Sequence, residues 1–175
     1  MSACGGILST QLLRGSFASL NTAEFAENRG DSMYPEIMVI AMREELTRLG
    51  VEELRSAAEV DRFVQKEPGT TMVVVNSICG CAAGRMRPAV RLALQHPTRP
   101  DNIVSVFAGQ DKEATERARS YFSGYPPSSP SVAILRDGKL VYMLPRHQIE
   151  TRDASAIAVD LKAAFDRHCA ATTAP

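Results

Sequence analysis

The sequence predicts an α/β fold, a central mixed sheet flanked by helices with an extra helix at the N-terminal side. Three observations carry that prediction. Thr71 to Val75 is a short, β-branched apolar run of the kind that lies buried on both faces of a sheet. Ser131–Arg136 and Lys139–Leu144 are two strand-like runs joined by Asp137-Gly138, a two-residue hairpin signal. Between and around these strands lie segments whose apolar residues recur at helical spacing.

Residues 1 to 32 show no sustained period and are expected to form a poorly ordered extension that carries Cys4, an incidental thiol. Met33-Tyr34-Pro35 reads as the beginning of the folded domain, expected over 33–170, with 171–175 a tail. Pro35 suits a first helical turn, where its missing N–H costs nothing. From Glu36 to Leu49 the residues Met38, Met42, Leu46 and Leu49 form one apolar stripe, with Arg43, Glu44, Glu45 and Arg48 on the other faces. Gly50 closes this helix.

Val51 to Leu54 is expected to form a short edge strand. Ser56 then caps a helix running to about Lys66, with Ala57, Val60, Phe63 and Val64 inward. Pro68-Gly69 turns the chain into the Thr71–Val75 strand, which ends in Asn76-Ser77-Ile78-Cys79-Gly80-Cys81. A helix is expected from about Ala82 to Gln95, with Met86, Val90 and Leu94 inward and Pro88 kinking it. Ile103–Ala108 is the next strand. Asp111 caps a polar helix that ends at Gly124, and Tyr125-Pro126-Pro127-Ser128-Ser129-Pro130 stiffens the approach to the hairpin. Asp153 caps a last helix from Ala154 to about Cys169, with Ile157, Leu161 and Phe165 inward.

Composition narrows the function. Lys plus Arg and Asp plus Glu number 20 each in 175 residues, so the chain has no net charge with which to attract nucleic acid or an anionic membrane. No apolar run approaches the roughly 18 residues of a membrane span, and the first residues lack the order of a signal peptide. A cytoplasmic protein is expected. In that compartment a close pair of cysteines serves catalysis or metal binding more often than structure.

Cys79 and Cys81 sit where a buried strand passes into a helix. Unpaired N–H groups and the positive end of the helix dipole favour a negative sulfur there. A βαβ half followed by a ββα half is the layout of thioredoxin. Within that layout Ser77-Ile78-Cys79-Gly80-Cys81-Ala82, Tyr34-Pro35-Glu36, Tyr125 to Ser131 and Arg146-His147-Gln148-Ile149-Glu150 resemble the bacilliredoxins. These are thioredoxin-like proteins with a Cys-Gly-Cys site. The resemblance covers about Met33 to Cys169. It implies removal of bacillithiol from mixed disulfides on cytosolic proteins, and disulfide isomerase activity.

The residues suggest how. Bridging two cysteines across one residue needs a tight backbone, and Gly80 is expected to supply it. The small ring suggests a disulfide more oxidising than the roughly −270 mV of thioredoxin. Cys79 is expected to attack, with a mildly lowered pKa, and Cys81 to resolve. In the thioredoxin layout Ser129-Pro130 occupies the place of a cis-proline loop that faces the thiols and a substrate strand. Arg85 and Arg87 are expected on a solvated helix face, His147 in a loop or cap, and Cys169 idle. No bound cofactor or resident metal is expected. The co-substrate is a low-molecular-weight thiol, bacillithiol or an equivalent. The partners are S-thiolated client proteins and a thiol reductase system, with neither nucleic acid nor membrane among them. The alternatives are a soft-metal-binding module and a redox-sensing module built on the same two cysteines.

Overall fold

The computed structural model describes residues 33–66 and 69–169; the N-terminal extension, Glu67, Pro68 and the C-terminal tail lie outside the described residues. The elements follow in the order α1 (Glu36–Thr47), β1 (Glu52–Glu53), α2 (Ala57–Asp61), β2 (Thr70–Asn76), α3 (Arg87–Ala93), β3 (Asn102–Phe107), α4 (Lys112–Ser120), β4 (Ser131–Arg136), β5 (Lys139–Leu144), α5 (Arg146–Ile149) and α6 (Ala154–His168). Two π-helical turns interrupt the α-helices. Arg62–Lys66 extends α2, and Ala82–Met86 leads into α3.

The five strands form one mixed sheet in the order β1-β3-β2-β4-β5. β1, β3 and β2 run parallel, whereas β4 lies antiparallel to β2 and pairs with β5 through the hairpin. Asp137 and Gly138 both take positive φ, 49° and 74°, the geometry a two-residue turn needs to match strand twist. β2 is central and every residue in it is buried. Its alternation splits the core in two. Met72 and Val74 face a layer built from α3, α6 and Leu46 of α1, while Val73 and Val75 face one built from α2 and α4.

The caps are partly as expected. The Ser56 hydroxyl accepts from the Glu59 N–H in a reciprocal capping box, and the Asp153 carboxylate accepts from the Ala156 N–H at 2.8 Å. Asp111 precedes α4 but caps nothing with its side chain. Its carboxylate is taken by Arg43 at 2.8 Å.

That contact corrects the reading of α1. The buried stripe is Val39, Arg43 and Leu46, while Ile37 and Met38 are exposed. Arg43, only 5% exposed, ties α1 to Glu53 of β1 and to Asp111, and closes over the Phe107 ring at 5.0 Å. A cation can sit in the core stripe because carboxylates from two other elements meet it there.

Pro88 does not sit in the middle of an α-helix. It lies in the first turn of α3, directly after the π turn, in which the Arg87 N–H donates to the Ala82 carbonyl five residues back. The proline has no N–H to give and its ring crowds the carbonyl four residues earlier. The widened turn absorbs that conflict next to the cysteine motif.

Candidate functional site

β2 delivers its last residue, Asn76, to the surface end of the sheet, and the chain turns through Ser77 and Ile78 into a helical segment that begins at Gly80. The Cys79 carbonyl accepts from the N–H groups of both Ala82 and Ala83, so Cys79 stands at the head of this segment. Its Sγ accepts from the Ala82 N–H at 3.4 Å, in the manner of an N-cap side chain. The Ser77 hydroxyl donates to the same sulfur at 3.2 Å. The two thiols face each other with their sulfurs 2.6 Å apart.

The two cysteines differ in environment. Cys79 is partly exposed and Cys81 is buried, at 8% exposure. Burial pushes both thiols up. At Cys79 it is outweighed by the hydrogen bonds from Cys81, Ser77 and the Ala82 N–H, so this thiol lies below its ordinary value. Cys81 lies above its ordinary value, raised by burial and then by the neighbouring Cys79 sulfur, and Arg146 pulls it back only in part. Cys79 is therefore the more readily ionised of the two thiols, and Cys81 the one that keeps its proton longer.

Gly80 differs from its expected role. Its φ is not in the left-handed region, and a Cβ placed on it would meet nothing within 4 Å. Its backbone is helical, a conformation open to any residue, because the segment is already turning into the helix at this position. Gly80 is exposed, and space beside it is open.

The Ser129-Pro130 bond is cis. The antiparallel register pairs Val75 with Ser131, so the residue directly after Pro130 lies opposite the end of β2. The proline loop thus ends level with the cysteine turn. Its carbonyls are held from two sides. Arg119 of α4 donates to Ser128 O and Arg146 of α5 donates to Ser129 O, each at 3.3 Å.

Arg87 corrects another expectation. It is 3% exposed rather than solvated, because its guanidinium crosses to α1 and to the end of β2. Nε donates to Glu45 at 2.8 Å, and Nη1 donates to Asn76 Oδ1 and to Ser77 O, both at 3.2 Å. Arg85 is only partly buried, His147 is exposed on α5, and Cys169 packs against the core at the end of α6. The residues the sequence reading missed are Ser77, Arg87 and Arg146. Ser77 and Arg146 lie in motifs that were noticed, yet nothing in a sequence shows that positions 67 residues apart, Cys79 and Arg146, share an environment.

Among the described residues no three His, Cys, Asp or Glu side chains cluster so as to hold a metal ion. No helix among them is long and apolar enough to cross a membrane.

Comparison with known proteins gives concordant matches. A family model described as disulphide isomerase matches residues 34–169. A bacilliredoxin of Koribacter versatilis (strain Ellin345) is 61% identical over 140 residues, which is 80% of this chain and 97% of that protein. A bacilliredoxin of Salinibacter ruber is 55% identical over 138 residues, 78% of this chain and 81% of that protein. Among solved structures, the thioredoxin of Malassezia sympodialis is similar with a TM-score of 0.50 at 15% identity, covering 69% of this chain and 91% of the other. The thioredoxin-like domain of Arabidopsis NCP is similar with a TM-score of 0.50 at 18% identity, covering 70% and 81%. The structural likenesses establish a thioredoxin fold.

Proposed function

The chain belongs to the bacilliredoxin family of thiol–disulfide oxidoreductases, and we propose that it uses Cys79 and Cys81 to strip a low-molecular-weight thiol from mixed disulfides on client proteins. The observation that supports this most is the split between the two thiols. Cys79 is partly exposed and lowered by its hydrogen bonds, and Cys81 is buried and raised.

The sequence of bonds follows from that split. The Cys79 thiolate attacks the small-thiol sulfur of the mixed disulfide, a Cys79–S–S–R bond forms, and the client thiolate leaves and takes up a proton. Cys81 then loses its proton and attacks the Cys79 sulfur. The small thiol departs with the electron pair and a proton, leaving a Cys79–Cys81 disulfide. Two electrons have passed to the mixed disulfide, and a thiol reductase system returns them to the protein. Bacillithiol is the small thiol by family resemblance. The same attack on a protein disulfide gives isomerisation. A client strand would pair with the Ser129 backbone beside the cis-proline. Chemistry that ends in free thiols suits a reducing, cytoplasmic setting.

The test is de-thiolation of a client carrying bacillithiol, glutathione or coenzyme A. Cys79→Ala should be inactive with every thiol, while Cys81→Ala should stop after one turnover with the small thiol bound to Cys79, seen as an intact-mass increase. Full turnover by Cys79→Ala would sink the assignment. Stoichiometric zinc or copper on the reduced protein, with no turnover of any mixed disulfide, would instead favour a metal-binding module.

A further inference from the structure

The turn before Cys79 is held by an unbroken chain of polar contacts that begins on a different helix. Glu45 of α1 accepts from Arg87 Nε at 2.8 Å. Arg87 Nη1 donates to both Asn76 Oδ1 and Ser77 O. Asn76 Oδ1 also accepts from the Ser77 N–H at 2.9 Å, and Asn76 Nδ2 donates to the Met42 carbonyl of α1 at 3.2 Å. Ser77 Oγ then donates to Cys79 Sγ at 3.2 Å. Asn76, Ser77 and Arg87 are all buried.

We propose that Arg87 is a positioning residue for the thiol chemistry: by fixing the Asn76 side chain and the Ser77 carbonyl, it aims the Ser77 hydroxyl at the Cys79 sulfur. A serine hydroxyl rotates freely, and it also has backbone carbonyls to bond. Holding the Ser77 backbone at both its N–H and its C=O removes the alternative orientations. An arginine suits this, since its planar fork can serve Glu45 with one nitrogen and two oxygens of the turn with another. Burying such a cation is costly unless it is fully paired. That cost is met at a place where the pairing orients the attacking group.

The groups that act on Cys79 are burial, Cys81, Ser77 and the backbone N–H groups of Ala82 and Cys81, and Arg146 is the cation that feels both sulfurs. Around Arg87 the charged neighbours are Glu45 and Arg91, which with Pro88 line a cavity of about 240 Å³. Arg87 therefore acts through Ser77, and the two residues should behave as one unit.

The inference rests on Cys79 as the attacking thiol, and its test reads that thiol directly. The rate of Cys79 alkylation by iodoacetamide is followed against pH in the Cys81→Ala background, so that one thiol reports. Ser77→Ala should move the profile up by about one pH unit, roughly a tenfold loss of rate on the acid side. Arg87→Gln should move it up by a similar amount, and the Ser77→Ala, Arg87→Gln double variant should move it no further than Ser77→Ala alone. Additive shifts, or an Arg87→Gln profile that coincides with the parent, would overturn the proposal. Glu45→Gln, at a half-exposed position, supplies the same measurement if Arg87→Gln fails to fold; it should shift the profile upward by a smaller amount, and no shift would count against the proposal. Wild-type protein that alkylates as described but never de-thiolates a client would refute the proposed function and leave this inference standing.

Discussion

Cys81 favours ionisation of Cys79 through its hydrogen bond, whereas the Cys79 sulfur opposes ionisation of Cys81, and that opposition changes once Cys79 is occupied. Cys81 is raised first by burial and then by the facing Cys79 sulfur, and Arg146 lowers it. In the Cys79–S–S–R adduct the anionic neighbour is gone, so burial and Arg146 alone set the resolving thiol. Arg146→Gln should therefore slow release of the small thiol more than it slows the first attack, because Arg146 acts more strongly on Cys81 than on Cys79. The release profile should shift to higher pH, because a thiol that loses its nearby cation ionises later. The fall near neutral pH should be no more than about fivefold, because water screens an exposed charge. Single-turnover release at several pH values measures it. The placing of the two cysteines where a buried strand passes into a helix was legible in the sequence, since the β-branched run before them and the helical period after them mark that junction. Gly80 was read for backbone freedom it does not use in this dithiol state.

At the scale of elements, α1, β1 and the head of α4 are joined through one side chain. Arg43 bonds Glu36 in its own helix, Glu53 in β1 and Asp111 before α4. Arg43→Ala should cost about 3–5 kcal/mol, because it strands the Glu53 and Asp111 carboxylates in a largely buried place. Chemical denaturation measures this as a lower midpoint at unchanged slope. Arg43 and Arg87 were both assigned to solvent by periodicity, for the same reason. A charged residue in a helical pattern is placed outside unless its partner is known, and these partners lie 10 to 68 residues away. The β-branched Thr71–Val75 run and Asp137-Gly138, by contrast, carry their structural reasons within their own sequence.

For the molecule as a whole, rigidity is graded from the middle of the sheet outward. Met72 to Val75 of β2 are buried and bonded on both sides, to β3 and to β4. β1 has two residues and pairs with β3 alone. Native-state hydrogen exchange should show Met72–Val75 opening only with global unfolding, and β1 with the exposed Ile37–Met38 end of α1 opening well before it. Uniform protection across these elements would contradict that ordering. The order of elements and the mixed pairing were legible because local periods and hairpin chemistry decide them. The π turn before α3 was not, since that widened turn depends on how Pro88 meets the carbonyl before it in three dimensions.

That widened turn sets the rotational phase between the cysteines and everything downstream. A helix carried by bonds to the fifth residue back winds more slowly than one bonded to the fourth, so Arg87 emerges at a different angle about the axis than uniform α-winding from Cys81 would give. The spacing from Cys81 to Arg87 is thus a clocking element. Shorten it by one residue and the two sulfurs survive intact at the mouth of the sheet, while the guanidinium rotates out of line with Ser77 and a neighbouring side chain takes its berth. A cysteine pair copied without the five residues between Cys81 and Arg87 would carry the reagent and lose the alignment.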